Sequence, residues 1–192
     1  MDIMDVIASH IIWWSWIIFL VYWIVTAAKL KAVAERQNWR ASLVYKVPTL
    51  LGGVLLWYDG WSGSLRAELT PHNDLTYALG SVVCVAGLLV AIWARRTLAG
   101  NWSSNITFKQ GHELVRTGPY RFARHPIYTG LLMMALGTAI AAGRVHYWLG
   151  LVFFFIGFWI KLKGEEELML RHFPDQYPAY RKEVRAIIPF IL

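Results

Sequence analysis

The sequence predicts an all-α, polytopic membrane protein of about five transmembrane helices, with the N-terminus outside and the C-terminus cytoplasmic. Of its 192 residues 57% are hydrophobic and 16% charged, and the mean hydropathy is +0.41. That is more apolar than a soluble domain of this length. The apolar residues also gather into runs approaching the roughly 20 residues a helix needs to cross the hydrocarbon core. Basic residues between these runs set the orientation. Eleven Trp and nine Tyr cluster near the run ends, as at Trp13, Trp14, Tyr22, Trp23, Trp57 and Tyr58, where amphipathic rings favour the headgroup region.

The predicted spans are 10–28, 43–58, 75–94, 126–142 and 146–162. Asp2 and Asp5 precede the first run without any Lys or Arg, so it lacks the basic region of a signal peptide and is expected to persist as a helix. Lys46, Pro48, Gly52 and Gly53 interrupt the second and predict a kink or a close helix contact. Only Gly143, Arg144, Val145 and His146 separate the fourth from the fifth, so these two form an antiparallel hairpin. Lys29, Lys31, Arg36 and Arg40 follow span one, Arg95, Arg96, Lys109, Arg116, Arg121 and Arg124 follow span three, and Lys161 and Lys163 end span five. These basic residues mark the cytoplasmic side. The opposite loop, 59–74, sets Arg66 against Asp59, Glu68 and Asp74. In the tail, Phe173, Tyr177, Tyr180, Val184 and Ile188 have helix-like spacing suited to a segment along the membrane surface.

Several function classes drop out. The net charge of +7 is spread between apolar segments rather than on one basic face, so anionic lipid headgroups are the counter-charge and nucleic acid is not a partner. The lone cysteine, Cys84, lies in an apolar run and reads as core. His10, His72, His112, His125, His146 and His172 show no paired ligand spacing, so no metal is expected. No Gly-x-Gly-x-x-Gly loop and no convincing strand pattern is present, which argues against a Rossmann-type cofactor domain. With no repeat or linker, residues 1–192 read as a single integral membrane domain.

The densest polar strip, Gly111 to Gly130, runs straight into span four. Pro126 suits the first helical position, which makes His125 the cap and leaves free N–H groups that, with the helix dipole, form an anion site. Tyr128 lies one turn beyond Arg124 and His125, so the three can share a pocket. The plainer reading makes Arg121, Arg124 and His125 interfacial anchors. A second polar group, Lys161, Lys163, Glu165, Glu166 and Glu167, ends the partner helix of the hairpin and is brought to the same place. Glu165 and Glu167 read as solvated carboxylates and Glu166 as the functional one.

These residues resemble the isoprenylcysteine carboxyl methyltransferases and the related phospholipid methyltransferases. The matching motifs are Leu114-Val115, Gly118-Pro119-Tyr120, Arg124-His125-Pro126 with Tyr128 and Gly130, Glu165-Glu166, and Phe173, Tyr177 and Tyr180, in the family's order from Arg95 to Pro189. The resemblance implies an S-adenosylmethionine-dependent enzyme acting on a lipophilic acceptor, with its site on the cytoplasmic side. It places His112, Glu113, Leu114, Val115, Gly118 and Tyr120, then His125, Pro126, Ile127 and Tyr128, at the cofactor, with Glu166 closing the site. Lys161, and with less support Arg96, would sit near the acceptor. Residues 1–94 would then hold three spans, and 95–192 the cofactor-binding catalytic half, with the hairpin 126–162 and a tail. Two departures stand out: Pro174 replaces the usual Gly after Phe173, and Lys161 replaces an Arg, giving up a planar bidentate grip on a carboxylate. The acceptor stays open between an isoprenylcysteine-type carboxylate and a phospholipid amine. A sterol-reductase-like nicotinamide enzyme and a non-enzymatic membrane scaffold are the remaining alternatives.

Overall fold

The computed structural model describes residues 3–27, 32–36, 38–111 and 113–189. Lys29, Lys31 and His112, which the sequence reading used, lie outside the described residues. Each predicted span falls on a helix: α1 Ile3–Ala27, α2 Trp39–Trp57, α3 Asp74–Leu98, α4 Pro126–Ala142 and α5 Val145–His172, followed by the short α6 Tyr177–Glu183. Among the described residues, α1, α3 with its following turn, and α5 are long and apolar enough to cross a membrane. Large apolar side chains such as Ile24, Val82 and Leu89 are exposed on their outer faces, as expected of surfaces bathed in lipid rather than water. The chain is an α-helical membrane protein.

Small residues set how closely the helices approach. Gly80 and Gly87 of α3 face Gly137 and Gly130 of α4, each pair one heptad apart on antiparallel helices, so the two backbones touch. A Cβ added at Gly87 would lie 2.5 Å from the Gly130 carbonyl oxygen. Cys84 is completely buried between these contacts, a core residue as expected. Gly52 of α2 faces the backbone of Gly150 and Phe154 on α5, so the interruption in the second span marks a close helix contact. α1 packs on α3 and joins α4 through Trp16, whose indole N–H donates to Thr138 Oγ1 at 3.1 Å.

The ends are capped by recognisable chemistry. Asn73 and Thr76 form a reciprocal capping box at the start of α3. Gly143, at φ +68°, takes the left-handed turn that ends α4 and launches α5.

The paired strands and the tail depart from the sequence reading. Strands β1 Val33–Arg36 and β2 Thr107–Lys109 pair antiparallel, with Arg36 opposite Thr107 and an irregularity between Val33 and Glu35. Strands of four and three residues are too short to show an alternating pattern, which is why the sequence concealed them. The tail helix also stops at Glu183 instead of running through Val184 and Ile188. Beyond it the chain extends and returns to α4: Arg124 N–H donates to Arg185 O and His125 N–H to Ala186 O, both at 2.8 Å, and the Thr129 hydroxyl donates to Ile187 O at 2.6 Å. The backbone before Pro126 needs partners, and this return supplies them while burying Ala186 and Ile187.

Candidate functional site

The start of α4 and the polar end of α5 meet, as the hairpin required. Arg124 is the hub of this meeting. Its Nε and Nη2 donate to Glu166 Oε1 at 2.8 and 2.5 Å, while Nη1 donates to the carbonyl oxygens of Arg181, at 3.2 Å, and Val184. One guanidinium thus joins α4, α5, α6 and the returning tail. The Arg124 and Glu166 side chains are only 8% and 7% exposed, so the pair is shielded from water. Arg181 Nε adds a contact to Glu166 Oε2 at 3.3 Å.

Adjacent residues on a helix point roughly 100° apart, and Glu165 accordingly faces elsewhere. It accepts a 2.8 Å hydrogen bond from the Tyr128 hydroxyl and lies 3.7 Å from Lys161 Nζ, one turn earlier on α5. The Lys161 ammonium also sits over the Tyr128 and Tyr45 rings, 5.4 and 5.8 Å from their centroids. The reading of Glu165 as a solvated carboxylate is therefore corrected, because burial and these partners fix it in place. Glu167 is exposed, as expected.

His125 stands between the two carboxylates, with Nδ1 3.5 Å from Glu165 Oε2 and Nε2 3.4 Å from Glu166 Oε1. Burial alone would lower its pKa, but both glutamates outweigh that and hold it above the ordinary imidazole value. The His125, Tyr128 and Phe158 rings stack in succession at 5.5 and 5.0 Å, running from the site into the core. At the start of α4 the N–H groups of Tyr128 and Thr129 both donate to His125 O, which narrows the expected anion site. The tail carbonyls take up the two N–H groups before them.

Beside these residues lies a cavity with about 840 Å³ of empty space, its open mouth included. Tyr120, His125, Ile127, Tyr128 and Glu165 form one wall, and Leu114 and Val115 line it from the preceding loop. Residues 98–107 return to it and contribute Asn101, Trp102 and Thr107, and Leu168, Tyr177 and Tyr180 line it as well. Among the described residues, two buried polar atoms on these walls, Asn101 Oδ1 and Thr107 Oγ1, have no hydrogen-bond partner, and His125 Nε2 has only the 3.4 Å ion-pair contact with Glu166. The Tyr180 hydroxyl donates to Tyr120 O at 2.7 Å, and burial pushes its pKa up to about 12. It remains a neutral donor across the ordinary pH range.

Of the residues singled out from sequence, Leu114, Val115, Tyr120, His125, Ile127 and Tyr128 line the cavity. Glu166 sits behind the wall, engaged by Arg124, and Pro126 is buried as the first residue of α4. Gly118, at φ +59°, shapes the turn before Tyr120, where a Cβ would lie 3.0 Å from Thr97 Oγ1. Glu113 is exposed and off the wall. Arg96 is exposed at the end of α3 and also off the wall, because the helix turns its neighbour inward instead. Arg95 is buried, donates to Ala99 O at 2.6 Å and Thr26 O at 3.0 Å, and stacks over Trp102. Sequence reasoning missed Glu165, Arg181 and the 98–107 segment. The four-residue spacing of Lys161 and Glu165 was a usable signal for the first; the returning segment carries none.

A family model described as phospholipid methyltransferase matches residues 75–176, more than half of the chain. The protein-S-isoprenylcysteine O-methyltransferase of Saccharomyces cerevisiae is 33% identical over 125 residues, 62% of this chain and 51% of that protein. Its counterpart of the same name in Schizosaccharomyces pombe is 34% identical over 84 residues, covering 42% of this chain and 34% of the relative. That of Tribolium castaneum is 29% identical over 119 residues, covering 59% and 41%. The chain thus spans about half the length of these relatives, or less. The matched residues include α3, both helices of the hairpin and every side chain of the Arg124, His125, Glu165 and Glu166 cluster. The chain belongs to the phospholipid methyltransferase family.

Proposed function

We propose that this protein is an S-adenosylmethionine-dependent methyltransferase acting at the membrane on a lipophilic acceptor, whose reacting group is a carboxylate of isoprenylcysteine type. The observation that carries this reading is the convergence of Arg124-His125-Pro126 and Glu165-Glu166 beside one aromatic-walled cavity. The relatives named above, all protein-S-isoprenylcysteine O-methyltransferases, support the activity and the acceptor class.

The residues fit the cofactor. Trp102, Tyr120 and Tyr128 offer faces for a flat base, Glu165 and its aromatic neighbours suit a cation, and the unpaired atoms of Asn101 and Thr107 suit a polyhydroxylated ligand. When bound, S-adenosylmethionine supplies a methyl group on a positively charged sulfur that a nucleophile displaces. Leu114, Val115, Tyr120, His125, Ile127 and Tyr128 bind it, and His112 and Glu113, the two residues before Leu114 in the sequence, are assigned to the same ligand. Glu166 acts through Arg124, which fixes the shape of the site. A carboxylate acceptor is already ionised near neutral pH, so the protein's task is to align the reacting atoms and exclude water. Lys161 is assigned to the acceptor, held beside Tyr128 and Tyr45. Arg96, on the exposed side of α3, drops out of that assignment.

In this reading helices α1 to α5 are the five spans of a single domain, with the site on the cytoplasmic side. The basic residues near that end of the bundle, Arg95, Arg96, Arg116, Arg121 and Arg124, support the orientation. The acceptor's apolar tail approaches from the bilayer and the cofactor from water.

A second reading has a specific observation behind it. Glu165 reaches the cavity wall and could take the proton that an amine loses on methylation, as phosphatidylethanolamine-type acceptors require. Equilibrium binding of labelled S-adenosylmethionine to the purified protein tests the shared cofactor, with micromolar saturable binding expected. Methyl transfer to a prenylcysteine analogue but not to phosphatidylethanolamine would fix the acceptor, and the converse would establish the second reading. Thermal stabilisation by NADPH and not by S-adenosylhomocysteine would overturn both.

A further inference from the structure

At the other end of the bundle, where α1 and α3 begin, α2 ends and α4 turns into α5, lies a second cavity with about 1190 Å³ of empty space, its open mouth included. Its walls combine three kinds of group, all on residues outside the methyl-transfer site. Two are carboxylates, Asp5 of α1 and Asp59 just after α2; one is the guanidinium of Arg144, the residue before α5; the third kind are the rings of Trp13, Trp57 and Tyr147.

The rings are held in position. The Trp13 and Trp57 centroids are 6.1 Å apart at an interplanar angle of 57°, and Trp57 also meets Trp16 edge-on at 5.5 Å. Tyr147 donates its hydroxyl to Asp59 at 3.2 Å. Among the described residues, neither the Asp5 carboxylate nor the Arg144 guanidinium has a hydrogen-bond or ion-pair partner.

Indole faces beside carboxylates favour a weakly hydrated ammonium, and an unpaired guanidinium favours a phosphate. A ligand of one sign leaves part of the wall unmatched. Ile3 and Leu75 are apolar and exposed at this same end, as suits a lipid-facing surface. We propose that this cavity binds the zwitterionic headgroup of a membrane phospholipid, its ammonium against Trp13 and Trp57 with Asp5 and Asp59 beside it, and its phosphate on Arg144. The bound lipid bridges α1 to the end of α2 and to the α4–α5 turn, in the leaflet opposite the Arg124 cluster.

Native mass spectrometry of the purified full chain, offered equal amounts of short-chain phosphatidylcholine and phosphatidylglycerol, tests this. The unmodified protein is expected to retain one phosphatidylcholine with about a tenfold preference. The paired substitution Asp5→Asn with Asp59→Asn brings the preference near parity, and Arg144→Gln reduces phosphatidylcholine retention. Trp13→Leu, at a ring 55% exposed and so without consequence for the core, gives the same loss of preference if the paired variant fails to fold. Equal retention of the two lipids by the unmodified protein, or an undiminished preference in the variants, overturns the proposal. Binding of free phosphocholine without binding of the lipid overturns the membrane source.

Discussion

Replacing Arg124 with Gln tests whether one guanidinium holds the site together. The substitution removes both hydrogen bonds to Glu166 and those to the carbonyl oxygens of Arg181 and Val184. What remains is a carboxylate 7% exposed, with His125 Nε2 at 3.4 Å and Arg181 Nε at 3.3 Å as its residual partners. Breaking a buried ion pair from one side costs about 3–5 kcal/mol. Because Arg181 and His125 offset part of that, the lower end applies, about 3 kcal/mol. For a chain of this size the melting temperature then falls by roughly 6–12 °C. Cys84 provides the assay: it is the lone thiol and wholly buried, so a thiol-reactive fluorogenic dye in detergent reports unfolding directly. Adding Glu166→Gln to Arg124→Gln should recover part of the loss, since the double variant no longer buries a lone charge. A melting temperature within about 1 °C of the parent, or strictly additive effects in the cycle, would refute the hub role.

Gly87→Val should separate α3 from α4, because its Cβ would lie 2.5 Å from Gly130 O and 2.7 Å from Met134 N, both backbone atoms; the same dye assay should show a loss of about 2–3 kcal/mol or no folded protein at all. Tyr128→Phe keeps the ring stack but removes the 2.8 Å donor to Glu165, so it should cost about 1–2 kcal/mol and weaken S-adenosylmethionine binding measured by equilibrium dialysis. The pH dependence follows from His125, whose pKa is raised in the fold. Its stabilisation is fully present below the unfolded imidazole value of about 6.5 and is lost as pH rises through the folded value. The melting-temperature difference between the parent and His125→Gln should therefore shrink across that window; a difference that grows with pH would contradict the assignment.

The sequence revealed the helices because each span must bury or lipidate a long apolar run, and such a run survives in any reading window. The Arg124 and Glu166 meeting was legible for a topological reason: a turn of at most four residues after the fourth span leaves the fifth no choice of neighbour or direction. What stayed hidden depends on contacts distant in sequence. Residues 99–106 are a short turn and bends between α3 and β2, and the returning Arg185 and Ala186 find their backbone partners far away along the chain, so no local period announces either segment. The tail's helical spacing was real through Tyr180 and misleading afterwards. Its last apolar residues gained more by covering the backbone of Arg124 and His125 than by continuing the turn.

The roles of the two glutamates follow from geometry that their sequence adjacency obscures. One residue of rotation aims Glu166 at Arg124 and Arg181, and Glu165 at Tyr128 and Lys161. The first carboxylate is held by Arg181 and by Arg124, whose guanidinium also binds backbone, so its charge goes into joining four chain segments. The second is shared between a phenol and an ammonium, and it alone of the pair reaches the cavity. A helix end can thus supply a rigid clamp and a responsive wall from consecutive positions. His125 lines the cavity and contacts both carboxylates, so a change of charge in the cavity is felt through it by the clamp.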